Sequence, residues 1–169
     1  MKKQIASKII LKIFILVLLF STNFIYAQPV LPQREITLNI QQSLTFGEFY
    51  NKGDGGTITV NWQGIRSTTG DIIAMPSSQG TPAIYQIKLC QGRNITITYP
   101  EFSTLKNSAG YPIKLDIGPT EKGGNGVIFA TEKNCNFITL LRVGGTLHIP
   151  ANTPLGIFSG NFEIYFEQQ

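Results

Sequence analysis

Two cysteines, one histidine and a scatter of carboxylates are the residues here that could do covalent, metal or proton chemistry. Cys90 and Cys135 lie too far apart for a redox Cys-x-x-Cys pair, and no neighbouring Cys or His completes a zinc ligand set. In an exported chain such an even pair is expected to form a structural disulfide, worth at most about 4 kcal/mol through closure of a long loop. His148 stands between Leu147 and Ile149, so if those two point into a core the imidazole points to solvent. No nucleophile motif accompanies it to make a Ser/His/Asp triad. Asp54, Asp71, Glu101, Asp116 and Glu163 are expected on solvated turns or outer faces. Gly123 to Gly126 has the glycines of a phosphate loop but no following Lys-Ser/Thr and no helix, and reads as a hairpin loop. Trp62, Tyr99 and Tyr111 would suit a sugar-stacking platform, but aromatics in strand-like runs are more often half-buried sheet residues. No catalytic, cofactor-binding or metal-binding residue is therefore expected, and no cofactor.

What positions these residues starts with the chain as a whole: 169 residues and 18.7 kDa, 42% hydrophobic, only 14% charged, with a formal charge of +4. That is one domain's worth of chain. The surplus charge sits at the start, in Lys2, Lys3, Lys8 and Lys12, and no acidic residue precedes Glu35. Met1 to Lys12 is followed by the unbroken apolar run Ile13 to Phe20 and by Ser21 to Ala27, the three-part plan of a secretory signal peptide. The run is too short to span a bilayer, which takes about 20 apolar residues. Residues 1–27 are expected to be removed, leaving a formally neutral protein with no basic surface for nucleic acid and no transmembrane span. The expected location is the periplasm, the cell surface or the extracellular space. Residues 28–33, with Pro29 and Pro32, read as a short extended leader, and residues 34–169 as a single domain.

Within that domain Arg34 to Gln41 alternates, with Ile36, Leu38 and Ile40 on one face, the period-2 signature of a half-buried strand. Comparable runs are Leu44 to Tyr50, Gly56 to Trp62, Ile72 to Met75, Ala83 to Leu89 and Asn94 to Tyr99. Tyr111 to Ile117, Val127 to Thr131, Phe137 to Val143, Thr146 to Ile149 and Gly156 to Glu167 follow. In the last run Phe158, Phe162, Ile164 and Phe166 share a face expected to be buried. The breaks carry turn chemistry: Gly53 to Gly56, Gly64, Ser77 to Gly80, Gln91-Gly92, Asn107 to Gly110 and Gly123 to Gly126. Many short strands with no helical stripe between them predict an all-β, immunoglobulin-like antiparallel β-sandwich.

Three segments carry a resemblance: Leu44-Thr45-Phe46-Gly47-Glu48-Phe49, Gly55 to Val60, and Val143 to Ala151 followed by Pro154 to Phe162. From about Leu44 to its end the chain resembles the exported bacterial domain of unknown function 4402 family, related in pattern to spore coat protein U and fimbrial major-subunit domains. Phe158 stands where that family's closing Gly-x-Tyr-x-Gly turn has Tyr. The resemblance implies a pilin-like sandwich without known catalysis, and partners that are copies of itself or other envelope proteins. It also implies that Ile36, Leu38 and Ile40 are either the first strand of their own domain, the preferred reading, or a donor strand completing the sheet of another copy. The leading expectation is a non-catalytic structural or adhesive surface protein, a fimbria-like subunit assembling by strand exchange. The alternative is a monomeric secreted binding module for carbohydrate or another envelope component.

Overall fold

The computed structural model describes residues 36–89, 93–132 and 136–169, all within the unit Arg34–Gln169. The expected signal peptide, the leader, Cys90 and Cys135 lie outside the described residues. Ten strands are described: β1 (Thr37–Gln42), β2 (Phe49–Val60), β3 (Arg66–Ala74), β4 (Ala83–Lys88), β5 (Asn94–Thr98), β6 (Phe102–Lys106), β7 (Pro112–Thr120), β8 (Ile128–Ala130), β9 (Thr139–Ile149) and β10 (Tyr165–Gln168). Every pairing is antiparallel, in a seven-stranded sheet and a three-stranded sheet ordered β10-β5-β8. The described residues contain no helix long and apolar enough to cross a membrane.

Strand β9 is the hub of the larger sheet. One of its edges takes β4 along the first half, with Ala83 opposite Val143, and β2 along the second, with Val60 opposite Gly145. The other edge takes β7, which in turn pairs with β6. The change of partner occurs at Gly144, where a Cβ would lie 2.5 Å from the Val60 carbonyl oxygen. The expected break between Phe137 to Val143 and Thr146 to Ile149 is therefore no break: the two glycines let three strands meet, and one long strand runs through.

Gly53 to Gly56, expected as a turn, also lies inside a strand. The register of β2 against β3 shifts between Asn51 and Gly56, and Gly56 has φ 152° with its missing Cβ 2.1 Å from the Thr69 carbonyl oxygen. The Asn51 side chain accepts hydrogen bonds from the Gly53 and Gly55 amides, at 3.0 and 3.2 Å, and closes the bulge.

Three further expectations are corrected. Phe102–Lys106 is a strand absent from the sequence reading, held to β7 by a turn in which Asn107 accepts from Tyr111 N at 2.8 Å. Gly123 to Gly126 is no hairpin loop, since it passes from β7 in one sheet to β8 in the other. There Asn125 is tied to the Tyr99 backbone by two bonds, at 2.9 and 3.0 Å. At the C-terminus only Tyr165–Gln168 pairs as a strand, although Gly156 to Glu167 reads as one.

The core is one cluster drawn from both sheets. Ile58, Val60, Ile87, Ile95, Ile97, Leu141 and Val143 are wholly buried, each worth about 1.5–3 kcal/mol. Tyr85 of β4 meets Phe166 of β10 with ring centroids 6.1 Å apart, so the smaller sheet packs on the inner face of the larger. The molecule is an all-β protein with two antiparallel sheets in a sandwich-like arrangement.

Candidate functional site

Beyond the smaller sheet, two irregular segments lie over the larger sheet's inner face with a groove between them. Leu105, Leu115, Leu147 and Ile149, from β6, β7 and β9, floor an apolar groove of about 550 Å³. One bank is the segment Leu44 to Phe49, braced from behind by Arg66. The Arg66 guanidinium donates to the carbonyls of Phe46 at 3.2 Å and Met75 at 2.7 Å, while Thr45 and Thr81 exchange backbone bonds of 2.8 and 2.9 Å. A cation is thus used as a frame for loop backbone.

The opposite bank is Gly156 to Phe162. Ser159 exchanges backbone hydrogen bonds with Lys106, at 2.9 and 3.0 Å, and the Ser103 hydroxyl donates to the Asn161 carbonyl at 2.7 Å. Alternate residues of an extended chain present their backbone groups to opposite edges. With Ser159 turned to β6, Phe158, Gly160 and Phe162 turn their N–H and C=O groups the other way, and none has a partner among the described residues. Leu155 and Ile157, at the mouth of the groove, are 95% and 89% exposed.

Phe158, Phe162, Ile164 and Phe166 are half-buried against the core, and Phe158 meets Tyr111 edge-on at 6.5 Å. Ile36 also packs against the core, and β1 pairs antiparallel with β4. Leu38 lies opposite Ile87 and Ile40 opposite Tyr85, so the stripe shares the core-facing side of its sheet. Yet Leu38 is 42% and Ile40 71% exposed at the edge of the sheet, where Ile40 lines a small cleft with Gly160, Asn161 and Phe162 of its own copy. Among the described residues β4 is the only strand that pairs with β1.

Polar chemistry sits on the outer face. His148 points outward as its neighbours require, and its Nε2 lies 2.5 Å from Asp116 Oδ2, while Lys114 Nζ lies 2.9 Å from Asp116 Oδ1. The Lys114 ammonium also stands 5.2 Å from the Phe102 ring centre. Desolvation pushes the Asp116 carboxyl up, but the hydrogen bonds and charges of Lys114 and His148 outweigh it, so its pKa falls below the usual carboxylate value. Cross-strand register alone joins residues 32 positions apart, and nothing in the sequence marks them as neighbours.

The other carboxylates do not converge. Asp71 accepts from the Asp54 amide at 3.2 Å, and Glu163 accepts from the Tyr165 hydroxyl. Among the described residues no group of three or more His, Cys, Asp or Glu is placed to hold a metal. The aromatic platform does not form, because Tyr99 is buried in the core, where desolvation raises its pKa, and Tyr111 packs on Phe158.

A family profile described as Domain of unknown function (DUF4402) matches residues 36–167. No curated protein and no solved structure matches the chain.

Proposed function

Since the chain belongs to the DUF4402 family, itself of unknown function, its role has to be sought on its own surfaces, and we propose that it is an exported, non-catalytic structural subunit that assembles by β-strand exchange. The groove carries this reading. An apolar floor beside the unpaired edge of Phe158, Gly160 and Phe162 fits an added strand, whose backbone would complete that edge and whose alternate side chains would fill the groove. The added strand we assign is β1 of a second copy, since its Leu38 and Ile40 are largely exposed at home and, among the described residues, β4 alone pairs with it. An immunoglobulin-like or pilin-like ancestry agrees with this use, as does export with loss of residues 1–27, which an intact mass of the recovered protein checks.

Ile40→Lys tests the assignment, because a 71% exposed side chain contributes little to its own fold. The expected outcome in sedimentation is a series of assemblies for the wild type and a monomer for Ile40→Lys, with equal denaturation midpoints. A wild type that stays monomeric at all concentrations overturns strand exchange.

The alternative reading, a secreted binding module, is favoured by one separate observation: the polar cluster of Lys114, Asp116 and His148 beside exposed Phe102.

A further inference from the structure

The outer face of the larger sheet has an order that its groove side lacks. Across β6, β7, β9, β2 and β3 one register row reads Thr104, Lys114, His148, Thr57 and Thr69. The next reads Phe102, Asp116, Thr146, Thr59 and Ser67. Directly opposed residues point to the same face. The rows point outward because the residues between them, Ile58, Leu115 and Leu147 among others, are buried. Four strand spacings of about 4.8 Å make the face about 19 Å wide.

The valences of this face are only partly used. Thr57 and Thr69 share one hydroxyl bond of 2.7 Å, and Thr59 and Thr146 share another of 2.9 Å. Two hydroxyls have two donors, so each pair keeps one to offer, along with acceptor lone pairs. An ammonium has three N–H donors, and that of Lys114 stands as an ion pair 2.9 Å from Asp116 Oδ1. Asp116 Oδ2 meets His148 Nε2 and keeps acceptor capacity, while Oδ1, 2.9 Å from Lys114 Nζ, is closed to solvent and accepts no hydrogen bond among the described residues. His148 uses Nε2 within the cluster, and its side chain is 41% exposed. At the end of the second row the Phe102 ring, 54% exposed, is the one large apolar side chain of the two rows.

We propose that this face, centred on Phe102, Lys114, Asp116 and His148 with the threonine pairs beside them, binds a neutral polyhydroxylated chain, a glycan. Such a ligand needs alternating donors and acceptors for its hydroxyls and one ring for its C–H face. The juxtaposed charges of Lys114 and Asp116 cancel, so the site gives no electrostatic pull to a polyanion such as nucleic acid. A protein partner fits poorly as well, because protein interface cores are rich in aromatics and poor in charge, and these two rows hold one apolar ring among hydroxyls and ions. The face lies on the side of the sheet away from the groove, so the site can stand or fall without strand exchange.

Native electrophoresis of the exported protein through gels containing hydroxyethylcellulose, laminarin, xylan or galactomannan tests the proposal. The expected result is retardation in at least one gel. Phe102→Ala should weaken it about tenfold, as expected for losing the ring contact. Asp116→Asn should weaken it about three- to tenfold, the range for one net hydrogen bond. Ile40→Lys should bind as the wild type does, which separates this site from assembly. Equal denaturation midpoints for wild type and Phe102→Ala keep unfolding out of the comparison. Unretarded wild type in all four gels overturns the proposal, as does retardation that survives both outer-face substitutions.

Discussion

Strand β9 and the stretch Gly156 to Glu167 look alike as sequence, each alternating apolar residues with polar or glycine ones, yet they end in opposite situations. β9 has strands on both edges, and its inward Leu141, Val143, Leu147 and Ile149 are at most 3% exposed. The C-terminal stretch meets β6 through one bridge at Ser159 and enters a sheet only at Tyr165. Its Phe158 and Phe162 reach the core, while Leu155 and Ile157 just before them stay in solvent. Alternation decides which face is buried. Whether an edge is filled depends on the neighbours that the rest of the chain can place there, and here they are too few.

That contrast can be broken or sharpened by substitution. Leu147→Ala should cost most, about 2–5 kcal/mol, because a side chain only 2% exposed leaves a cavity under the groove between fixed strands. Gly144→Ala should cost about 1–3 kcal/mol, since the new Cβ meets the Val60 carbonyl oxygen at 2.5 Å and β9 cannot retreat between paired neighbours. Phe162→Ala should cost only about 1–2 kcal/mol, below the 3–5 kcal/mol of a fully buried ring, since part of its surface already meets the groove. Denaturant midpoints rank the three, and a loss for Phe162→Ala equal to that for Leu147→Ala would erase the difference between the regions.

A smaller effect separates the outer face from the core. Asp116 faces Lys114 and His148, and its lowered carboxyl pKa means that it stays ionised in the folded chain at pH values where the unfolded chain binds a proton. Its contribution is present above the ordinary carboxylate range of about 4 and is lost as pH falls through the lower folded value. Because the pair is more than a third exposed, that contribution is below about 1 kcal/mol. Asp116→Asn should therefore flatten stability against pH on the acid side and leave melting near neutral pH almost unchanged. Ile157→Ser should have the smallest effect, within about 0.5 kcal/mol, since an 89% exposed side chain has almost nothing to lose.

The sequence showed which residues turn inward more clearly than where strands end. Leu147 and Ile149 around His148 take the side that alternation predicts, and Phe158, Phe162, Ile164 and Phe166 near the C-terminus lie half-buried against the core. Glycines misled the reading of boundaries. In Gly53 to Gly56 and at Gly144-Gly145 they serve close approach between strands, a demand made by partners remote in sequence, whereas at Asn107 to Gly110 the same kind of composition does make a turn. β6 escaped notice because Phe-Ser-Thr-Leu-Lys is short and its alternation puts Phe102 outward. Neither the groove nor the Lys114–Asp116–His148 cluster is legible in one dimension, since both are products of register.

Strand exchange into the groove is the central claim, and photocross-linking reads it most directly. A photoreactive phenylalanine analogue at position 40, in a mixture of isotopically light and heavy copies, reports whether that side chain meets its own chain or another. Beside the within-copy adducts expected from its own neighbours Gly160 and Phe162, the account predicts mixed light–heavy adducts mapping to Gly156 to Phe162 or to Leu44 to Phe49. Adducts confined within one copy, or none on either bank of the groove, would contradict it.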